Sequence, residues 1–211
     1  MVEHYYADHP SVSSDPREIE AVVRGRALCL TVDRGVFSRR GIDRGSLLLA
    51  ESVAAEPDGC LLDLGCGYGV VGIALALAVP RLRVFASDIN RRAVDLAQIN
   101  IAANGLADRA TVVRADGALG VAPGIQFDAV ALNPPIRAGK TVVWRLYEEA
   151  AVRLAPRGCL WVVIQKKQGA DSTLRKLGEL FGRVDIVRRD AGYRVLRACA
   201  VKGDHDGDAR P

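Results

Sequence analysis

One segment constrains this chain more than any other: Cys60-Leu61-Leu62-Asp63-Leu64-Gly65-Cys66-Gly67-Tyr68-Gly69. Its first five residues, apolar but for one acid, read as a buried strand. The apolar run over 69–79, closed by Pro80, reads as a helix. Between them three glycines alternate. Glycine accepts backbone conformations and close approaches that a Cβ forbids. A ligand can therefore lie across such a loop against the helix N-terminus. One glycine suffices for a tight turn, so three beside a strand-end carboxylate point to a ligand loop.

Strands and helices alternate from there on. Strands are expected at 60–64, 82–87, 110–114, 127–132, 159–165, 184–189 and 193–201, with helices at 69–79, 90–104, 140–154 and 172–181. Alternation of this kind makes a parallel sheet covered on both faces. The tight turn Asp190-Ala191-Gly192 makes the last two strands an antiparallel pair. The fold class is therefore α/β: a doubly wound, Rossmann-like, seven-stranded, mostly parallel sheet with a terminal antiparallel hairpin. A short N-terminal β/α extension precedes it. The run over 19–31, broken by Arg24-Gly25-Arg26, reads as a bent strand or hairpin, and Ser46 as the cap of a short helix over 47–53. The expected organisation is an irregular segment 1–16, the extension 17–55, the main domain 56–202 and a disordered tail 203–211.

Composition removes several function classes. Hydrophobic residues are 49% and charged residues 26%, a globular balance. The longest apolar run falls far short of the roughly 18 residues of a membrane span. The first residues lack the basic start of a signal peptide. The five cysteines are odd in number and show no C-x-x-C spacing, which argues against a disulfide framework or structural zinc and for a reducing, cytoplasmic compartment. His4, His9 and His205 all lie near the termini, so histidine-based triads and metal sites are not expected, and no metal is assigned. The net charge of +4, carried mostly by arginine, permits a nucleic-acid partner.

The sequence Gly67-Tyr68-Gly69-Val70-Val71-Gly72 matches the dinucleotide pattern G-x-G-x-x-G. Asp63 opposes that reading, because a carboxylate there repels a pyrophosphate and suits a ligand carrying an ammonium and a sulfonium. No core histidine or Tyr-x-x-x-Lys supplies a hydride-transfer partner. Asp88, at the next strand end, is placed to accept from two ribose hydroxyls or to cap the following helix. Asp116, after the third strand, is placed to take an adenine amino group or to be a solvated loop acid. Asn133-Pro134-Pro135-Ile136 then follows the fourth strand, at the sheet edge where open α/β sheets bind ligands. A planar amine is a poor nucleophile. Two acceptors, the Asn133 side-chain oxygen and the Pro134 carbonyl, can hold its two N–H groups and aim its lone pair; proline fixes φ and pre-aims the pair.

Asp63-Leu64-Gly65-Cys66-Gly67-Tyr68-Gly69, Asp88 and Asp116 resemble the cofactor motifs of class I S-adenosylmethionine methyltransferases. The resemblance implies that Asp63, Gly65, Gly67 and Gly69 hold the methionine part, Asp88 the ribose and Asp116 the adenine, with Ile89, Gly117 and Asn133 also contacting the cofactor. Asn133-Pro134-Pro135-Ile136 resembles the (Asn/Asp)-Pro-Pro-aromatic motif of amino methyltransferases, with Ile136 in the aromatic's place. Gly35-Val36-Phe37-Ser38, Gly41, Asp43, Gly45-Ser46 and the following leucines resemble the small methyltransferase domain family, which includes 16S ribosomal RNA guanine-N(2) methyltransferases. That resemblance implies S-adenosylmethionine as cofactor, Asn133 and Pro134 as catalytic residues, and Pro135 and Ile136 as substrate contacts. Read from the residues alone, Arg137 and Lys140 flank the Asn-Pro-Pro site as cations that can take phosphates, and Phe37 is either a base-stacking substrate contact or a core residue under its loop. The implied partner is RNA, 16S rRNA or the small ribosomal subunit. A protein-amide or small-molecule N-methyltransferase and a non-catalytic RNA-binding module are the alternatives.

Overall fold

The structure is a computed structural model that describes residues 13–36, 41–56 and 58–201. The expected irregular start and disordered tail fall largely outside these residues.

The chain opens with a hairpin of β1 (Arg17–Val23) and β2 (Arg26–Val32). Arg24 and Gly25 turn it with φ of +54° and +70°, the left-handed pair of a type I′ turn. Helix α1 (Arg44–Ser52) follows. Its cap is Asp43, not Ser46 as the sequence suggested: the Asp43 carboxylate accepts from the Gly45 and Ser46 N–H groups at 2.8 and 3.1 Å. The helix starts one turn earlier than expected, so the acid takes its first orphan donors and leaves the serine hydroxyl free for other work.

The main sheet contains β3 (Cys60–Leu64), β4 (Arg83–Asp88), β5 (Ala110–Arg114), β6 (Phe127–Leu132), β7 (Leu154–Gln165), β8 (Phe181–Asp190) and β9 (Tyr193–Val201). Its order is β5-β4-β3-β6-β7-β9-β8, with β9 the one strand antiparallel to its neighbours. β7 and β8 start earlier than sequence patterning suggested. Around β3, α2 (Val70–Ala78) and α3 (Arg91–Ala103) join α1 on one face, while α4 (Lys140–Arg153) and α5 (Ala170–Leu180) cover the other. Strand alternation divides β3 accordingly: Leu61 enters the core under α2, and Leu62 and Leu64 the core under α4 and α5. All three are 0–2% exposed, each contributing about 1.5–3 kcal/mol of burial.

Two side-chain devices tie the periphery down. Asn100 on α3 and Asn104, its C-cap four residues on, pair through their amides with the edge of β2. Asn100 accepts from the Thr31 N–H and donates to the Thr31 carbonyl, and Asn104 does the same for Cys29. The amides thus take the place of a neighbouring strand. On the other face, the buried Arg153 guanidinium donates to the carbonyls of Ala118, Leu119, Val121, Ala122 and Ile125, organising the loop between β5 and β6.

The cysteine expectation needs correction. Cys159 and Cys199 form a disulfide, standing opposite each other on β7 and β9 with Cα atoms 4.4 Å apart. The sheet register, invisible to a spacing argument, brings together residues 40 apart in sequence. Cysteine spacing therefore carries no inference here about a reducing compartment. No helix among the described residues is long and apolar enough to cross a membrane.

Candidate active site

The strand order reverses between β3 and β6: β4 and β5 build away from β3 on one side, β7 on the other. Beyond the C-terminal ends of such a pair the loops diverge and leave a crevice. Leu64 pairs with Leu132, so Gly65 and Asn133 emerge side by side at its mouth.

Gly65, Gly67 and Gly69 have φ of +68°, +55° and +93°, which accounts for all three glycines of the loop. At Gly65 and Gly67 a Cβ would meet no atom within 4 Å, so the loop keeps an open cradle. Gly72 works differently: its Cβ would come 2.9 Å from Val84 Cγ1, so a glycine here lets α2 press against the sheet.

Asp63 is 3% exposed and accepts the Gly72 N–H at 2.8 Å. Burial pushes its carboxyl up to about 7, opposed by the Gly72 N–H and reinforced by the nearby Asp88 charge. Asp88 accepts the Gly67 and Asn90 N–H groups, both at 2.9 Å, so it pins the glycine loop to the start of α3. Burial raises its pKa, with the N–H groups of Asn90, Gly67 and Ile89 opposing. Asn90, and not Asp88, caps α3.

These groups line two adjoining clefts. Asp63, Gly65, Gly67, Asp88 and Asn133 lie together in the first. Gly65, Asp88 and Asn133 continue into the second, with Ile89, Gly117 and Pro135. There the buried Ser87 hydroxyl has no hydrogen-bond partner among the described residues. The chemistry of the walls suits an elongated ligand: a cationic end at Asp63, hydroxyls at Asp88, and a flat ring with polar edges between Ile89 and Pro135. S-adenosylmethionine has these parts in this order.

A third cavity, of about 300 Å³, opens on the other side of Asn133 and contains Pro134, Ile136 and Arg137. The Asn133 amide nitrogen donates to Ser46 Oγ at 3.1 Å, while its carboxamide oxygen has no partner among the described residues. The Pro134 carbonyl accepts the Ile136 N–H at 2.9 Å and keeps its second lone pair.

Some expected residues stand apart. Gly69 starts α2 and lines none of the three spaces. The Asp116 carboxylate is held by Arg145 at 2.6 Å, and its neighbours Ala115 and Gly117 form the wall instead. Lys140 is exposed, its ammonium 5.9 Å from the Trp144 ring. Phe37 lies outside the described residues.

Sequence reasoning missed the walls of the third cavity: Asp43, Gln165, Gln168 and Tyr193. It also missed the part played by Ser46. Only Asp43 and Ser46 carried a signal, through their place in the stretch resembling the small-domain family; Tyr193 comes from the last strand.

The chain is similar to several known proteins. Residues 27–197 match the family described as methyltransferase small domain. An uncharacterized protein of Bacillus subtilis, YbxB, is 41% identical over 202 residues, covering 95% of this chain and all of that protein. Ribosomal RNA large subunit methyltransferase G of Ectopseudomonas mendocina is 34% identical over 82% of this chain and 46% of its own length. Among solved structures, the T. thermophilus 16S rRNA N2 G1207 methyltransferase in complex with AdoMet and guanosine superposes with a TM-score of 0.77 at 28% identity. That match covers 90% of this chain and 52% of the other. The chain thus spans about half the length of the two methyltransferases named. Matching that family over most of its length, the chain belongs to the methyltransferase small domain family, whose cofactor is S-adenosylmethionine.

Proposed function

We propose that this methyltransferase acts on an exocyclic amine, guanine N(2) of ribosomal RNA, 16S rRNA in the first instance, by direct in-line transfer. One observation carries the reading: Asn133, its carboxamide oxygen uncommitted, borders both the clefts on the glycine-loop side and the third cavity. This supports a group held by Asn133 lying between cofactor and substrate spaces. The two methyltransferase relatives, both named for acting on rRNA, support the substrate class.

When bound, S-adenosylmethionine supplies an electrophilic methyl group on a sulfonium. The chain's own part is to prepare the nitrogen. Asn133 Oδ1 and the free lone pair of the Pro134 carbonyl accept its two N–H groups, which localises the nitrogen lone pair and stabilises positive charge developing there; as the new N–C bond replaces the S–C bond, one of those two protons leaves to solvent and the product is a neutral secondary amine. Ser46 takes the Asn133 amide nitrogen and so turns the oxygen toward the substrate. Tyr193 lines the cavity that Ile136 also lines, and supplies the aromatic surface that Ile136 lacks.

The test is mass spectrometry of nucleosides from 16S and 23S rRNA of cells with and without the protein. N2-methylguanosine that depends on the protein is expected. With Asn133→Ala, methylation should fall at least ~100-fold while S-adenosylmethionine still binds. Unchanged rRNA alongside a newly methylated ribosomal protein would overturn the reading.

A further inference from the structure

The cations of this chain divide into two populations. Most described arginines are engaged: Arg81 with Asp58, Arg145 with Asp116 and Glu149, Arg183 and Arg197 with Asp185. The chain has five lysines, four of them described. Lys176 pairs with Glu148 at 2.6 Å. Lys166 and Lys167 do not pair: both are exposed, with neither ion pair nor side-chain hydrogen bond among the described residues.

Their position is specific. They belong to a 3-10 turn (Lys166–Gln168) at the end of β7. Gln165 and Gln168 form part of the cavity that holds Asn133 and Pro134. On the other side Gln165, Lys166, Lys167 and Asp171 line an open hollow of about 540 Å³ reaching Ala191 and Gly192. The turn is thus a ridge between the substrate cavity and a shallow surface groove. The Lys166 N–H donates to the Gly192 carbonyl at 2.8 Å and fastens the ridge to the β8–β9 turn.

Positive charge continues past that turn. Arg188 and Arg189 are exposed and unpaired among the described residues, and Arg189 stands opposite Arg194 in the ladder. Like charges placed so repel. The acids beside the strip are already occupied: Asp171 by Arg194 at 2.9 Å, and Asp190 by Arg44 at 2.7 Å. On the cavity's β6 side, Arg137 is likewise exposed and unpaired. Unneutralised point charges along a ridge match a phosphate backbone and carry no base preference.

We propose that this ridge is the track for the substrate's RNA backbone. Lys166 and Lys167 contact phosphates flanking the target nucleotide, Arg137 takes the far lip, and Arg188 and Arg189 extend the path. The target base meanwhile turns into the neighbouring cavity. The inference rests on the RNA reading above and gives it a docking surface.

The test compares the wild type with Lys166→Glu/Lys167→Glu, Lys166→Arg/Lys167→Arg, and the control Arg26→Glu/Arg157→Glu. The control makes the same charge change at exposed residues away from the rim. Binding of purified 16S rRNA and of a labelled single-stranded RNA oligonucleotide is measured across a KCl series, with S-adenosylmethionine binding as the check on folding. Reversal of the two lysines should weaken RNA binding at least ~10-fold and lower the log–log salt slope by about 1.4, the share of two single-strand phosphates. The arginine pair should keep wild-type affinity, and the control should stay within about 3-fold. If the lysine reversal binds RNA as the wild type does, or the control loses as much, the track is wrong while the RNA reading stands. If the wild type binds no RNA, both fall.

Discussion

At the scale of single residues, Asp63 answers two opposed demands. Folding buries it, and burial lifts its carboxyl from 3.8 to about 7. The folded state therefore holds a proton that the unfolded state releases between those values. Stability from this group is greatest below pH 3.8, declines as pH rises toward 7, and levels off above. A cationic ligand end beside it favours the ionised form. S-adenosylmethionine affinity should thus rise about tenfold from pH 6 to pH 8, followed by isothermal titration. Asp63→Asn keeps an acceptor for the Gly72 N–H and removes the titration. Its melting temperature at pH 8 should exceed the wild type's, while cofactor affinity falls about 10–100-fold. Undiminished affinity in that variant would mean that the carboxylate meets no cation.

At the scale of elements, α1 orients a residue it does not contain. Asp43 caps its first turn. Arg24, from the hairpin turn, donates to the Ala50 and Val53 carbonyls at its last. Held at both ends, α1 presents the Ser46 hydroxyl to Asn133. Ser46→Ala releases the Asn133 amide to rotate. We expect kcat to fall about 5–10-fold, the worth of one hydrogen bond, with the KM for S-adenosylmethionine unchanged. Ser46→Thr should retain activity, and a loss of both kcat and cofactor binding in Ser46→Ala would assign Ser46 to folding instead. This division also marks what the sequence discloses. Strand ends and glycines follow local rules, so Asp63, Asp88 and Asn133 can be placed at one sheet edge from spacing alone. The serine–asparagine contact joins residues 87 apart, and Cys159 meets Cys199 through a register that patterning does not fix. The ion pair of Asp116 is non-local in the same way, since its arginine partner sits 29 residues on, in α4.

At the scale of the whole molecule, the clefts lie where the two cores meet. Cys66, Tyr68, Val70 and Val71 belong to the core under α1–α3; Leu64 and Leu146 belong to the core under α4 and α5. A ligand filling both clefts binds the two halves to each other, and it binds only when both are folded. It therefore stabilises the global fold by mass action, about 2.7 kcal/mol at a hundred times its Kd. For a domain of this size that is a rise in melting temperature of about 5–10 °C. S-adenosylmethionine and S-adenosylhomocysteine should both give the shift, and NAD at the same concentration should give none, because its pyrophosphate would face Asp63. A cooperative transition moving as one unit is expected, followed by far-ultraviolet circular dichroism and tryptophan fluorescence together. Trp161 reports from the α1–α3 core, and Trp144 packs against the other. If NAD moves the transition and S-adenosylmethionine leaves it in place, the clefts have been assigned to the wrong ligand.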